Sequence, residues 1–206
     1  PGCDARGPVF VKDHTLRDEY RANPVIYLAR DGRDCCLSFN DFKLRRRDAG
    51  DAALAEGADS LALILGGGMA DFGGWPAHVT AALDWREAGA DLTIVTYDTL
   101  MAEDSYPALA AALETSGVDL SRERYAIGLR NAAEKEAQLR AKAPGWARER
   151  IYPQGSMMDR WLDVEDASKW RRLLGPQDKA RLHEAGFTEP LLRAGFEEDP
   201  NWWQSV

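Results

Sequence analysis

Arg30 and Ser38 are the residues whose types and spacing most clearly indicate chemistry. Val25 to Ala29 is a short apolar run entered through a proline, and it predicts a buried strand that ends at Arg30. A polar turn to Asp34 follows, with Asp31 placed to cap a helix that carries Ser38. Ligands of open α/β sheets collect at the carboxyl ends of strands, where a guanidinium can form two hydrogen bonds with a phosphate. The same arginine would also suit an ordinary ion-paired strand end.

Lys12 and His14 form a second candidate pair. Val9 to Lys12 is predicted to be a short strand that ends in a polar loop containing His14. Imidazole titrates near neutral pH and can accept the proton of an attacking hydroxyl, while a lysine can stabilise negative charge on a transferred group. A histidine after a strand is also common as a surface or hydrogen-bonded structural residue, so both roles stay open.

The elements that must position these residues follow from periodicity and capping. Asp91 to Tyr97 is β-branched and predicts a second strand. The predicted helix Arg122–Arg140 is rich in charged residues and is expected to bury Ala126, Ile127 and Leu129 on an inner face. Helices are predicted at Pro107–Leu113, Arg122–Arg140 and Gln177–Phe196, the last of these divided in two at Gly186.

A segment rich in tryptophan and glycine precedes the second strand. Pro76 suits the first turn of a helix, which would direct Val79, Leu83 and Trp85 towards the core. His78 would lie in that first turn, where the favoured role is a hydrogen bond that holds a loop.

These segments resemble, in the same order, the sulfotransferases that use 3'-phosphoadenosine 5'-phosphosulfate (PAPS) as donor. The resemblance covers about Pro8 to Phe196. It implies that Arg30 and Ser38 hold the 3'-phosphate of the donor. It also implies that His14 is the general base and that Lys12 helps to hold the sulfuryl group.

The resemblance assigns further residues to the donor and the acceptor. Tyr97 matches a tyrosine that lies near the adenine of the donor. The family segment Gly-x-Trp-x-x-His-Val, which lies near the acceptor pocket, stands here at Gly73 to Val79. Phe72, Trp75 and His78 are therefore the candidate substrate-binding residues, and the two aromatic ones indicate an apolar or aromatic acceptor.

The family implies a P-loop-NTPase-like, helix-rich α/β fold of three layers, α/β/α, with a central parallel sheet. We expect a single domain over residues 1–206. The implied reaction moves a sulfuryl group from PAPS to a hydroxyl or amine of a small acceptor, leaves adenosine 3',5'-bisphosphate and needs no metal.

This sequence departs from the family pattern at two places. The phosphosulfate loop and its strand have no counterpart, and we expect them to lie upstream of Pro1. The late Arg-Lys-Gly triplet is replaced by residues 163–165, Asp-Val-Glu, whose charge would repel the 3'-phosphate. A non-catalytic, sulfotransferase-like nucleotide-binding or assembly protein is therefore the alternative function.

Composition limits the remaining classes. The formal net charge of −8 argues against nucleic-acid or membrane-surface partners, which favour a basic face. The three cysteines, two of them adjacent at Cys35 and Cys36, match neither a disulfide framework nor a metal spacing. We therefore expect reduced thiols, a cytoplasmic protein and a small-molecule acceptor, with the oligomeric state left open.

Overall fold

The computed structural model describes residues 13, 15–38, 74–102, 104–142 and 169–205. These residues form a helix-rich, mixed α/β arrangement with a small parallel sheet of two strands, β1 (Val25–Ala29) and β2 (Leu92–Thr96). Short 3-10 helices lie at Asp18–Ala22 and Trp202–Gln204. The α-helices are α1 (residues 32–38), α2 (Trp75–Glu87), α3 (Tyr97–Met101), α4 (Tyr106–Thr115), α5 (Arg122–Lys142), α6 (Trp170–Leu173), α7 (Pro176–Glu184) and α8 (Thr188–Arg193).

The two strands pair in parallel over their full length. Val25 lies opposite Leu92, and Ala29 lies opposite Thr96. The strands predicted at Val25–Ala29 and Asp91–Tyr97 are thus confirmed, the former with the predicted bounds. Because the strands run in the same direction, the residues that follow them emerge at the same edge of the sheet, which is where ligands of such sheets bind.

Helix α2 packs against one face of the sheet. Pro76 lies in its first turn, as predicted, and Val79, Leu83 and Trp85 are buried. Trp85 forms a core cluster with Leu92 of β2. Full burial of one large apolar side chain contributes about 1.5–3 kcal/mol, so this cluster is a main attachment of α2 to the sheet.

Residues 169–205, called the C-terminal module below, build a second core with α1. The two predicted helices are confirmed as α7 and α8, and Gly186 between them has a φ of 85°, a left-handed conformation that favours glycine. The module lies far from α1 in sequence, so this core is made by long-range packing. Its buried side chains are Cys36, Trp170, Leu174, Leu182, Phe187, Leu191 and Trp202.

Helix α5 forms where it was predicted, but its predicted inner face is wrong. Ile127 is 38% exposed, Leu129 is 45% exposed and Ala126 is exposed as well. The helix is held at its first turn, where the hydroxyls of Tyr125 and Ser105 lie 2.6 Å apart. The charged residues of this helix whose burial is described are exposed, and among the described residues no element covers its later turns.

Some predictions fall outside the described residues, among them the strand Val9–Lys12. In the described ranges, no helix combines the length and the apolar character that a membrane span requires.

Candidate functional site

Arg30 and Tyr97 meet at the carboxyl edge of the sheet. They follow directly after Ala29 and Thr96, which are the last paired residues of the two strands. The guanidinium carbon of Arg30 lies 4.5 Å from the centroid of the Tyr97 ring. A cation over an aromatic face at this distance is attracted to it, so the parallel register itself brings these two predicted site residues together.

Ser38 reaches the same place through helix α1. The carboxylate of Asp31 accepts a hydrogen bond of 2.8 Å from the backbone N–H of Arg33, so Asp31 caps the helix as predicted. Two turns later, the Ser38 hydroxyl accepts a hydrogen bond of 3.1 Å from Nη1 of Arg30. Arg30, Ser38 and Tyr97, the three residues predicted to bind the donor, therefore form one cluster, called the edge cluster below.

The charge of Arg30 is not neutralised by direct pairing. Among the described residues, no carboxylate lies within 4.0 Å of its guanidinium, although the side chain is half-buried. A partly desolvated cation that no carboxylate contacts directly attracts anions more strongly than a solvated surface arginine does. The edge cluster therefore presents a positive charge, which the nearby Asp98 partly offsets.

Acidic neighbours modulate this field. Asp98 follows Tyr97 at the same edge; partial burial and the nearby Asp31 raise the pKa of the Asp98 carboxyl, and Arg30 only partly offsets this rise. Burial likewise raises the pKa of the Tyr97 hydroxyl, against a lowering effect of Arg30. An anion bound to Arg30 would raise the pKa of Asp98 further, since like charge disfavours the carboxylate.

Arg33, only three residues from Arg30, has the opposite environment. Its side chain is fully buried and forms ion pairs with Asp31 at 2.7 Å and with Glu197 at 2.6 Å. Its guanidinium carbon lies 3.6 Å from the Trp170 ring centroid. Arg33 is therefore a structural cation that attaches the C-terminal module to the end of β1.

Asp34 adds to this attachment. It is buried, and its carboxylate accepts a hydrogen bond of 3.1 Å from the backbone N–H of Trp170, the first residue of α6. Burial raises the pKa of Glu197, but hydrogen bonds from Arg33 and from two backbone N–H groups outweigh it, so the net pKa lies below its ordinary value. The turn predicted to be polar is thus buried, because partners across the core neutralise its charges.

Trp75 and His78 lie on the first turn of α2 and both contact β1. Nε1 of Trp75 donates a hydrogen bond of 2.9 Å to the carbonyl oxygen of Arg30. Nδ1 of His78 lies 2.8 Å from the hydroxyl of Tyr27, whose pKa is raised above its usual value mainly by burial. Two of the three candidate substrate-binding residues therefore lie beside β1 and Arg30.

The cysteines of α1 have no nucleophilic character. Cys35 and Cys36 are free thiols, as expected, and burial raises the pKa of each to about 12. Both stay protonated at neutral pH, and the thiolate is the reactive form. In the described ranges, no group of three or more histidine, cysteine or acidic residues has a metal-binding arrangement.

Three predicted site residues, Lys12, His14 and Phe72, lie outside the described residues. Asp13, between the first two, accepts hydrogen bonds from the backbone N–H of Thr15 and from the hydroxyl of Tyr20.

The sequence analysis missed Arg33 and Glu197 as partners. The available signal was an arginine flanked by two aspartates in one turn, in a chain whose late part is rich in tryptophan. Such a turn can be buried only when distant partners neutralise it.

No protein-family model, curated protein or solved structure matches this chain. The proposed family thus depends on the residues and geometry described above.

Proposed function

We propose that the edge cluster binds the 3'-phosphate of a nucleotide and that the protein is a PAPS-dependent sulfotransferase. The observation that carries the proposal is the guanidinium of Arg30, which no carboxylate among the described residues contacts directly. It is held between Ser38 and Tyr97 at the carboxyl edge of a parallel sheet. Ser38 accepts a hydrogen bond from Arg30, so its own proton is left to donate to a phosphate oxygen. Charge-assisted hydrogen bonds of this kind are the stronger ones in proteins.

The layering of the described elements supports the P-loop-NTPase-like α/β/α fold that belongs to this proposal. Helix α2 covers the sheet face that carries Tyr27 and Leu92. On the opposite face, the hydroxyl of Thr93 lies 3.0 Å from that of Thr115 in α4. Helices on both faces of a parallel sheet are the usual arrangement of doubly wound folds.

The proposed chemistry is an in-line displacement at sulfur. The oxygen of an acceptor hydroxyl forms a bond to the sulfur of PAPS, the bond from sulfur to the bridging oxygen of the 5'-phosphate breaks, and adenosine 3',5'-bisphosphate leaves. His14 accepts the acceptor's proton, and Lys12 stabilises the negative charge of the moving group. An amine acceptor would react in the same way.

Titration calorimetry tests the 3'-phosphate site. We expect tighter binding of adenosine 3',5'-bisphosphate than of ADP, because ADP carries both phosphates on the 5' side. Arg30→Ala should weaken bisphosphate binding about 10- to 100-fold, the equivalent of losing charge-assisted hydrogen bonds. Arg122→Ala is the matched control, since it removes the same charge from an exposed site on α5.

Equal affinity for the two nucleotides, or equal effects of the two substitutions, would contradict the proposed site. Transfer is then tested with labelled PAPS and a panel of phenols, alcohols and amines. His14→Ala should stop transfer and leave bisphosphate binding intact. Specific bisphosphate binding without transfer to any member of the panel would favour the non-catalytic nucleotide-binding protein.

A further inference from the structure

Helix α2 is joined by two hydrogen bonds to β1 and to the residue that follows it. Trp75 donates to the backbone carbonyl of Arg30, directly after β1. His78, three residues later on α2, bonds to the side-chain hydroxyl of Tyr27 in the middle of β1. Residues three apart on a helix project from the same face, so both bonds form on the side of α2 that meets the strand. The first bond holds the backbone of Arg30, and the second holds α2 against the Tyr27 side chain.

The indole of Trp75 is packed against two groups. A β-carbon added to Gly32 would lie 2.4 Å from the ring, so the glycine backbone lies close against it. Phe187 of the C-terminal module stacks on the ring with centroids 5.2 Å apart and planes inclined by 14°. The N–H edge donates to the Arg30 carbonyl, so both the ring and its polar edge are engaged within the fold.

His78 is engaged in a similar way. Its ring is stacked on that of Tyr27, with centroids 5.5 Å apart, besides the hydrogen bond through Nδ1. A tyrosine hydroxyl can donate to a neutral imidazole nitrogen or accept from a protonated one. The direction of the bond to Tyr27 therefore depends on the tautomer of His78.

We propose that Trp75 and His78 are positioning residues for Arg30 and do not contact the ligand. Trp75 fixes the backbone of Arg30, and His78 holds α2 against the Tyr27 side chain of β1. The stacking on Phe187 connects Trp75 to the C-terminal module. This inference rests on the proposed function, because it concerns how the anion-binding guanidinium is placed. It replaces the acceptor-binding role that the resemblance implied for the same two side chains.

Trp75→Phe tests the proposal, since it keeps a ring between Gly32 and Phe187 but removes the N–H. Calorimetry would use adenosine 3',5'-bisphosphate and adenosine 5'-monophosphate, which lacks the 3'-phosphate. Loss of one hydrogen bond to the Arg30 backbone should weaken bisphosphate binding about three- to tenfold and leave the monophosphate affinity unchanged. The preference for the 3'-phosphate therefore falls by the same factor.

Trp202→Phe is the matched control. Trp202 belongs to the same core cluster as Phe187, and its Nε1 donates a hydrogen bond of 3.2 Å to the Thr188 hydroxyl. This variant also loses one indole N–H bond in that core, so its stability should fall similarly while its ligand preference stays that of the wild type. Tyr27→Phe, which removes only the bond to His78, is a milder second variant and should reduce the preference about two- to threefold.

Three outcomes would overturn the inference. Equal ligand preference in Trp75→Phe, Tyr27→Phe and Trp202→Phe would show that the two bonds act on stability alone. A change in acceptor KM with unchanged bisphosphate affinity would place Trp75 in the acceptor pocket. Absence of bisphosphate binding in the wild-type protein would remove the proposed function together with the inference, whereas the first two outcomes leave the proposed function standing.

Discussion

Replacing Arg33 by methionine tests the role of the buried charge between β1 and the C-terminal module. Methionine is unbranched and flexible, so it can occupy the space of the arginine stem beside Trp170. The substitution removes both ion pairs of Arg33, with Asp31 and with Glu197, and its hydrogen bond of 3.0 Å to the carbonyl oxygen of Phe196. Two carboxylates then face a core without their cation.

The cost follows from the burial of this site. Removing one partner of a buried ion pair typically destabilises a protein by about 3–5 kcal/mol, because the remaining charge is left uncompensated. New contacts between the methionine sulfur and the Trp170 ring recover only about 0.3–1.5 kcal/mol. Arg33→Met should therefore lower the free energy of unfolding by about 1.5–5 kcal/mol, a large share of the roughly 5–15 kcal/mol available to a domain.

Urea denaturation followed by tryptophan fluorescence measures this loss. Arg122→Met is the matched control, because Arg122 also pairs with a carboxylate, that of Asp104 at 2.9 Å, and lies over an aromatic ring, but its side chain is 65% exposed. Exposed pairs of this kind contribute little. We expect a midpoint close to that of the wild type for the control and a much lower midpoint for Arg33→Met.

Glu197→Gln keeps the variant set informative if Arg33→Met does not fold. Its amide oxygen can still accept a hydrogen bond from Arg33, but its NH2 group replaces the oxygen that accepts from the backbone N–H groups of Glu198 and Asp199. The loss should therefore be about 1–3 kcal/mol. In the Arg33→Met background, the same substitution should restore stability, because it removes an unpaired carboxylate. Equal losses for Arg33→Met and Arg122→Met, or additive losses in the double variant, would refute the reasoning.

Two further predictions concern α1. Gly32→Ala should destabilise the protein by about 1–3 kcal/mol in urea denaturation, because the added methyl group meets the Trp75 ring. Gly128→Ala adds the same group in open space on helix α5 and should be neutral or stabilising. Equal effects of the two substitutions would contradict this explanation. The thiols of Cys35 and Cys36 have pKa values raised to about 12, so they should react with a disulfide reagent at pH 8 much more slowly in the folded protein than in urea. Equally fast labelling in both states would show that the thiols are accessible.

Local signals explain the parts of the fold that the sequence predicted. The strand Val25 to Ala29 is a short apolar run after a proline, and α2 begins with Pro76 in its first turn. The resemblance assigned Arg30, Ser38 and Tyr97 to one ligand, and Arg30 and Tyr97 lie together because strand ends share an edge in a parallel sheet. Periodicity, capping and strand direction act over a few residues, so a single sequence contains them.

The errors and omissions have a different origin. The inner face of α5 was wrong because periodicity identifies an apolar stripe but not whether another element covers it, and Ile127 and Leu129 have no such cover in the described part of the chain. Arg33 was missed because charge and turn propensity predict exposure. Its burial depends on Glu197, 164 residues away, and on Trp170. Such pairings are properties of the folded chain and leave no local pattern.

The attachment of Arg33 and Asp34, just after β1, to the C-terminal module has a consequence for biosynthesis. Asp34 and Arg33 receive their partners 136 and 164 residues later in the chain. At translation rates of roughly 5–20 residues per second, the nascent turn waits on the order of ten to thirty seconds for those partners. During that interval Arg33 stays hydrated, and the stacking of Phe187 on Trp75 does not yet exist. Completion of the core and assembly of the proposed nucleotide site should therefore arise together, only after Trp202 has left the ribosome.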